Sequence, residues 1–202
     1  MTATEQQQMT CDIAIIGGGV AGLWLLNRLV RKGYNAILFE KNALGSDQTV
    51  ASQGMIHGGM KYTLNGALTG ASEAIAEMPT HWQQCMAGHG DVDLKGAAKL
   101  SDHFYMWSST SVLSKMTTFL ASKAARGRIN KVPKDDLPPI FQNNQFKGSV
   151  YKLLDIVLDV PSVVKVLANN YLGRIFKINW EKTQWRKDAN NKASLVFFYN
   201  NQ

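Results

Sequence analysis

The first forty residues set the pattern. Asp12, Ile13, Ala14, Ile15 and Ile16 form a short run dominated by branched apolar side chains, as expected of a strand buried on both faces of a parallel sheet. Glycines end it. Helical spacing then runs from Val20 to about Lys32, with Arg28, Arg31 and Lys32 near its end and Gly33 just beyond, where a helix terminus favours both cations and glycine. A second apolar run, Ala36, Ile37, Leu38 and Phe39, closes on the carboxylate of Glu40. Strand, helix and strand are predicted in succession.

Farther along, the periodicity is less regular. Residues 66–84 predict a long helix with Leu68, Ala71, Ile75 and Met78 on one face, kinked or interrupted by Pro79. His103, Phe104, Tyr105, Met106 and Trp107 form an aromatic, strand-like segment. Residues 112–126 return to helical spacing through Val112, Met116, Phe119 and Leu120, an ordinary core stripe, and residues 132–139 hold three of the five prolines and read as loop. Asp159 before Val160 and Pro161 announces a helix over residues 161–172. Residues 174–180 and 193–199 then predict two strands joined by a polar hairpin around residues 188–191.

Composition narrows the class. With 202 residues, 45% of them hydrophobic and 18% charged, the chain suits one domain with an insertion or two small ones, and general disorder is excluded. The apolar stretch over residues 13–26 is too short to span a bilayer and contains four glycines. The opening residues lack the basic start of a secretion signal, and two cysteines, Cys11 and Cys85, cannot build a disulfide framework. A soluble, cytoplasmic protein is expected. The net charge of +7 is confined to residues 101–202, which hold 15 Lys/Arg against 7 Asp/Glu. Such a half could meet nucleic acid, an anionic membrane or an acidic substrate, or balance an acidic portion elsewhere.

The chemistry sits in the first turn. Gly17, Gly18, Gly19, Val20, Ala21 and Gly22 supply the G-x-G-x-x-G spacing between strand and helix. Gly17 makes the tight turn, Gly19 lets backbone approach a pyrophosphate and Gly22 lets helix pack on strand, while the helix N-terminus offers N–H groups to phosphate. Glu40 follows Gly22 by 18 residues, where it can bond ribose hydroxyls, and the whole unit from Asp12 to Glu40 has 29 residues. An adenine dinucleotide is the expected ligand. Glu40 would repel a 2′-phosphate, which argues against NADP despite the neighbouring Lys41. Residues 46–62 are short of bulk and rich in hydroxyls, as a second backbone stretch laid along an extended flavin dinucleotide must be.

Taken together, residues 17–22, the Phe39-Glu40-Lys41 triplet and the stretch Ser52-Gln53-Gly54-Met55-Ile56-His57-Gly58-Gly59 resemble the FAD-dependent oxidoreductases of the D-amino-acid oxidase and glycerol-3-phosphate dehydrogenase type. The Ile-His-Gly-Gly run followed by Lys61 and Tyr62 is most similar to the dehydrogenase branch, and residues 155–161 are similar to the segment before a helix in these proteins. The resemblance extends to about residue 180. It implies an α/β fold: an incomplete Rossmann-like FAD-binding domain carrying an inserted mixed-sheet substrate region. Residues 1–84 would form the FAD-binding segment, residues 85–158 the substrate or cap region, and residues 159–202 the return towards the FAD domain. Relatives continue with further strands, so the chain is expected to be a fragment or a truncated product. The resemblance also implies that the turn glycines, Val20, Ala21, Glu40 and Lys41 hold the ADP half of FAD. Thr49, Ser52, Gln53, Gly54, Ile56 and His57 would hold the phosphates and flavin, with His57 near the ring.

The expected reaction is oxidation of a small, hydroxy- or amino-bearing and possibly anionic substrate by hydride transfer to FAD, with His57 as the candidate proton acceptor. Hydrogen bonding to backbone or flavin is the plainer role for His57. Lys61 or Tyr62 could touch an anionic substrate. An NAD-dependent dehydrogenase, which needs only the first forty residues, and a non-catalytic remnant are the alternatives. His81, Cys85 and His89 share a four-residue spacing, but Gly88 and Gly90 weaken the helix it requires, so no metal is expected. The basic run Lys123, Arg126, Arg128, Lys131 and Lys134 lacks interleaved aromatics and is partly balanced by Asp135 and Asp136. It reads as a solvated face, so no nucleic-acid partner is expected; peripheral membrane contact has no support, and the sequence sets no oligomeric state.

Overall fold

A computed structural model of the chain describes residues 9–58, 75, 77–108, 129–187, 189 and 193–196. It divides into two compact units. The first comprises residues 1–52, 91–96 and 160–202, and the second residues 53–90 and 97–159.

In the first unit, β1 (Ile13–Ile16), α1 (Val20–Arg31) and β2 (Ala36–Glu40) follow one another as the periodicity predicts. β1 pairs in parallel with β2, Ile13 opposite Ala36 and Ile16 opposite Phe39. Crossing between parallel strands needs a helix, and α1 supplies it. Its end is a Schellman motif: Gly33 lies at φ +89°, its N–H donates to the Val30 carbonyl at 3.0 Å, and the Tyr34 N–H donates to Leu29 at 3.1 Å. After the second unit the chain returns as α3 (Val160–Asn169) and β9 (Ile175–Lys177), and β9 adds to the other edge of β2 in parallel. The sheet order is β1-β2-β9.

The core of this unit lies where α1 packs on the sheet and against α3. Leu23, Leu26, Leu38 and Leu167 are fully buried there. Ile37, Phe39 and Ile178 form a further buried cluster, with Phe176 and Trp180 packed against it. All of β2 except Glu40 is therefore buried, as a central strand should be. β1 departs from expectation. Among the described residues it is an edge strand, and Ala14 and Ile16 are exposed while Ile15 is buried.

The second unit holds two small sheets whose described pairings are antiparallel. One has the order β3-β8-β4, built from β3 (Met55–Ile56), β4 (Lys99–Ser101) and β8 (Ile156–Leu158). The other has the order β5-β7-β6, built from β5 (Phe104–Ser108), β6 (Ile129–Lys131) and β7 (Ser149–Leu153). Tyr151 and Leu153 are buried in it against Phe104, Met106 and Ile129. No helix among the described residues is long and apolar enough to cross a membrane.

Several expected boundaries shift. Of the helix over residues 66–84, most lies outside the described residues; the described part is α2 (Met78–Met86), with Pro79 in its first turn, where a missing N–H is harmless. The helix over residues 112–126 also lies outside them. α3 stops at Asn169 rather than Leu172, and a 3-10 turn follows at Leu172–Arg174. The strand expected over residues 174–180 is shorter and joins the parallel sheet, so it is not half of a hairpin. The hairpin instead pairs β10 (Gln184–Lys187) with β11 (Ala193–Val196).

Candidate functional site

The glycine turn is built by steric necessity. Gly17 adopts φ +108°, a conformation that side-chain-bearing residues avoid, and its N–H donates to the Phe39 carbonyl at 2.8 Å, joining the turn to the end of β2. A Cβ on Gly22 would collide with the carbonyl oxygen of Gly17. Both glycines are therefore required by the fold itself. Gly19 differs: its backbone is extended at φ −72° and ψ 178°, and a Cβ there would meet only Thr49 Oγ1, at 3.1 Å. Its missing side chain leaves open the approach to the start of α1.

That helix start is prepared for an anion. No acidic residue lies in its first turn, and its N-cap, Gly19, makes no side-chain cap. The first amides of a helix have no intrahelical acceptor, and their dipoles favour negative charge. Thr49 Oγ1 accepts from the Val20 N–H at 3.1 Å, so a hydroxyl already sits at the anion position. Ala21 is exposed and Val20 partly so.

Glu40 closes the other side. Its carboxylate accepts from the Gly18 N–H at 2.5 Å and the Asn42 N–H at 2.7 Å. Partial burial opposes ionisation, but the N–H groups of Asn42, Gly18 and Lys41 and the charge of Lys41 outweigh it and hold the carboxyl below the usual glutamate range. An ionised carboxylate beside the turn suits the hydroxyls of a ribose. The neighbouring loop completes the cradle: Leu44 lies over Gly18, and the Gly45 N–H donates to the Gly18 carbonyl at 2.8 Å. Leu44 and Gly45 escape a reading by motif, because nothing in their local spacing signals contact with a turn 26 residues earlier.

A groove of about 740 Å³ opens elsewhere on the first unit, lined by Thr10, Asn35, Gly173 and Arg174 among others. It lies at the amino ends of the strands. In open α/β sheets ligands bind outside the carboxyl ends, where Gly17 and Glu40 stand, so the groove lies at the opposite end from the expected nucleotide position.

The remaining predicted residues divide between the units. Thr49 and Ser52 belong to the first, and the Ser52 hydroxyl donates to the Thr49 carbonyl at 2.8 Å. Gln53, Gly54, Ile56 and His57 belong to the second, where Gly54 is buried and Gln53 and His57 are exposed. Ile56 lies in β3 opposite Ile156, and the Gly58 N–H beyond His57 donates to Asp155 Oδ1 at 3.1 Å. Asp155 is a contact the spacing misses; its one signal is a carboxylate inside an apolar run. Gly59, Lys61 and Tyr62 lie outside the described residues, as do Lys123, Arg126 and Arg128 of the basic run. His81 Nε2 stands 3.9 Å from Cys85 Sγ on α2, whereas the helix ends before the exposed His89, which removes the single face that spacing required of the three.

The arrangement fits an adenine dinucleotide: a bare turn, a helix start without an acidic residue and an ionised carboxylate at the end of the second strand. Comparison with known proteins points the same way. The profile of a family described as FAD dependent oxidoreductase matches residues 12–174. The chain is 50% identical over 162 residues to the probable FAD-dependent oxidoreductase PA4991 of Pseudomonas aeruginosa, covering 80% of this chain and 41% of that protein. It is 36% identical over 66 residues to a glycerol-3-phosphate dehydrogenase of Pseudomonas tolaasii, covering 33% of this chain and 13% of that one. The crystal structure of PA4991 superposes with a TM-score of 0.72 and 37% identity, over 95% of this chain and 45% of that one. Glycine oxidase from Bacillus cereus superposes at 0.65 with 19% identity, covering 90% of this chain and 49% of that one, a likeness of fold. The chain thus spans less than half the length of each of these relatives.

Proposed function

The chain belongs to the family of FAD-dependent oxidoreductases, and on that premise we propose that it binds FAD non-covalently and serves the oxidation of a small hydroxy- or amino-bearing substrate. The observation that carries this reading is the turn in which Gly17 and Gly22 admit no side chain while Glu40 holds its ionised carboxylate at the Gly18 amide. The NAD-dependent alternative draws only on the first forty residues, which both cofactors would share, and leaves residues 52–58 without a task.

Bound FAD would supply a two-electron acceptor for a hydride from the carbon beside the hydroxyl or amine, with oxygen, a quinone or another carrier taking the electrons afterwards. The residues of this chain bind and orient it. The turn and the first amides of α1 meet the diphosphate, with the Thr49 hydroxyl beside them, and Glu40 accepts from ribose hydroxyls. Lys41 offsets charge next to Glu40. Ser52, Gln53, Gly54 and Ile56 present a low-bulk stretch to the ribityl and ring portion. His57 holds or accepts a proton at its imidazole, in the role of a general base for the substrate hydroxyl or amine. The surplus of cations in residues 101–202 favours a small anion as substrate. A cytoplasmic setting is part of the same proposal.

Visible absorbance tests it. Protein purified with excess FAD should be yellow, and Gly19→Leu, which introduces bulk where backbone strain is absent, should be colourless and folded. A wild-type chain that stays colourless while binding NADH overturns the FAD assignment.

A further inference from the structure

We propose that Asp155 is a positioning residue for the flavin, its buried carboxylate fixing the direction in which the backbone leaves β3 at His57 and Gly58. The inference rests on the flavin-binding reading of residues 52–58. β3 and β8 pair antiparallel, Met55 opposite Val157 and Ile56 opposite Ile156, and the Leu158 N–H donates to the Gly54 carbonyl at 2.9 Å. One step further in this register His57 stands opposite Asp155, where the described ladder stops. At that point a side chain replaces the backbone as acceptor: Asp155 Oδ1 takes the Gly58 N–H at 3.1 Å.

A carboxylate is a costly choice here. Asp155 is only 7% exposed, and Leu153, Ile156 and Leu158 around it in sequence are buried apolar residues. Burial of a carboxylate is unfavourable unless hydrogen bonds compensate, so packing alone would prefer an apolar side chain. What the carboxyl group provides, and an apolar side chain cannot, is an acceptor oxygen held at the Gly58 amide. Because a peptide unit is planar and trans, holding the Gly58 N–H also sets the His57 carbonyl, which points away from Asp155. Gly58 has no side chain to restrict its own rotation, so an outside constraint decides the orientation of the His57–Gly58 peptide.

The test compares the wild-type chain with Asp155→Asn, which keeps an oxygen acceptor, and Asp155→Ala, which does not. Three quantities are read: Kd for FAD from quenching of flavin fluorescence, the fine structure of the visible flavin band, and hydrogen exchange at the Gly58 amide without cofactor. Asp155→Ala should raise Kd for FAD by about tenfold or more, blur the band and speed Gly58 exchange. Asp155→Asn should restore protection and most of the affinity, and Kd for ADP should be the same in all three. Should the alanine variant fail to fold, Asp155→Leu fills the space without an acceptor and carries the same expectation. Unchanged Gly58 exchange, equal FAD affinity across the variants, or a matching loss of ADP affinity overturns the role of Asp155 alone. A wild-type chain that takes up no FAD overturns the site reading and this inference with it.

Discussion

Glu40 and Gly22 show how differently single residues in one motif can act. Gly22 is fixed by sterics: Gly22→Ala sets a methyl against the Gly17 carbonyl, so destabilisation of about 2 kcal/mol or more is expected in chemical denaturation, with or without nucleotide. Glu40 is fixed by charge. Its carboxyl lies below the ordinary range when folded, so its contribution to stability is fully present above the unfolded-chain value of about 4.3 and lost as pH falls through the lower folded value. Stability profiles between pH 3 and 6 should therefore be shallower in Glu40→Gln than in wild type, and a profile unchanged by the substitution would show that the Gly18 and Asn42 amides do not hold the charge. These residues are legible in sequence because their tasks are local or set by fixed spacing. Leu44, Gly45 and Asp155 are not, since their partners are brought to them only by folding.

The bounds of β1, α1 and β2 follow their local signals closely, for physical reasons that can be named. α1 begins after an extended glycine and ends in a left-handed one, so both boundaries are written in the backbone chemistry. The later strands carry no such punctuation. Gln184, Trp185, Arg186 and Lys187 offer a single apolar residue, whereas residues 176–180 alternate, so pattern alone pairs the wrong segment with β11. The seam between α1 and α3 was hidden too. Asn27, 1% exposed, donates to the carbonyls of Leu23 at 2.8 Å and Leu167 at 2.9 Å and accepts from the Asn170 amide at 2.9 Å. Asn170 in turn donates to the Asp93 carbonyl, bringing the segment 91–96 onto the same seam beside the Arg28–Asp91 ion pair. An amide inside an apolar helix face reads in sequence as an exception, and only its partners Leu167 on α3 and Asn170 just beyond it explain it. Asn27→Ala removes all three of its bonds and leaves a gap in the seam, which should cost about 2–3 kcal/mol and lower Tm by roughly 4–10 °C. Arg28→Ala, removing a half-exposed ion pair, should cost under about 1 kcal/mol.

At the scale of the whole molecule, the first unit carries the turn proposed to hold an adenine nucleotide and the second carries the stretch proposed to hold a flavin, so ligands of different length report on different residues. Anything that binds the folded chain alone stabilises it by RT ln(1 + [L]/Kd), about 2.7 kcal/mol at one hundred times Kd. For a chain of this size that corresponds to a rise in Tm of roughly 5–10 °C. On that proposal ADP would meet only the turn, the start of α1 and Glu40, whereas FAD would also meet residues 52–58. FAD should therefore raise Tm more than ADP does at equal concentration, and Gly19→Leu should abolish both effects. Asp155→Ala should remove the surplus given by FAD and leave the ADP shift intact. Equal shifts from ADP and FAD in the wild-type chain would mean that its residues grip only the nucleotide end, and the role proposed for His57 would then have no flavin beside it.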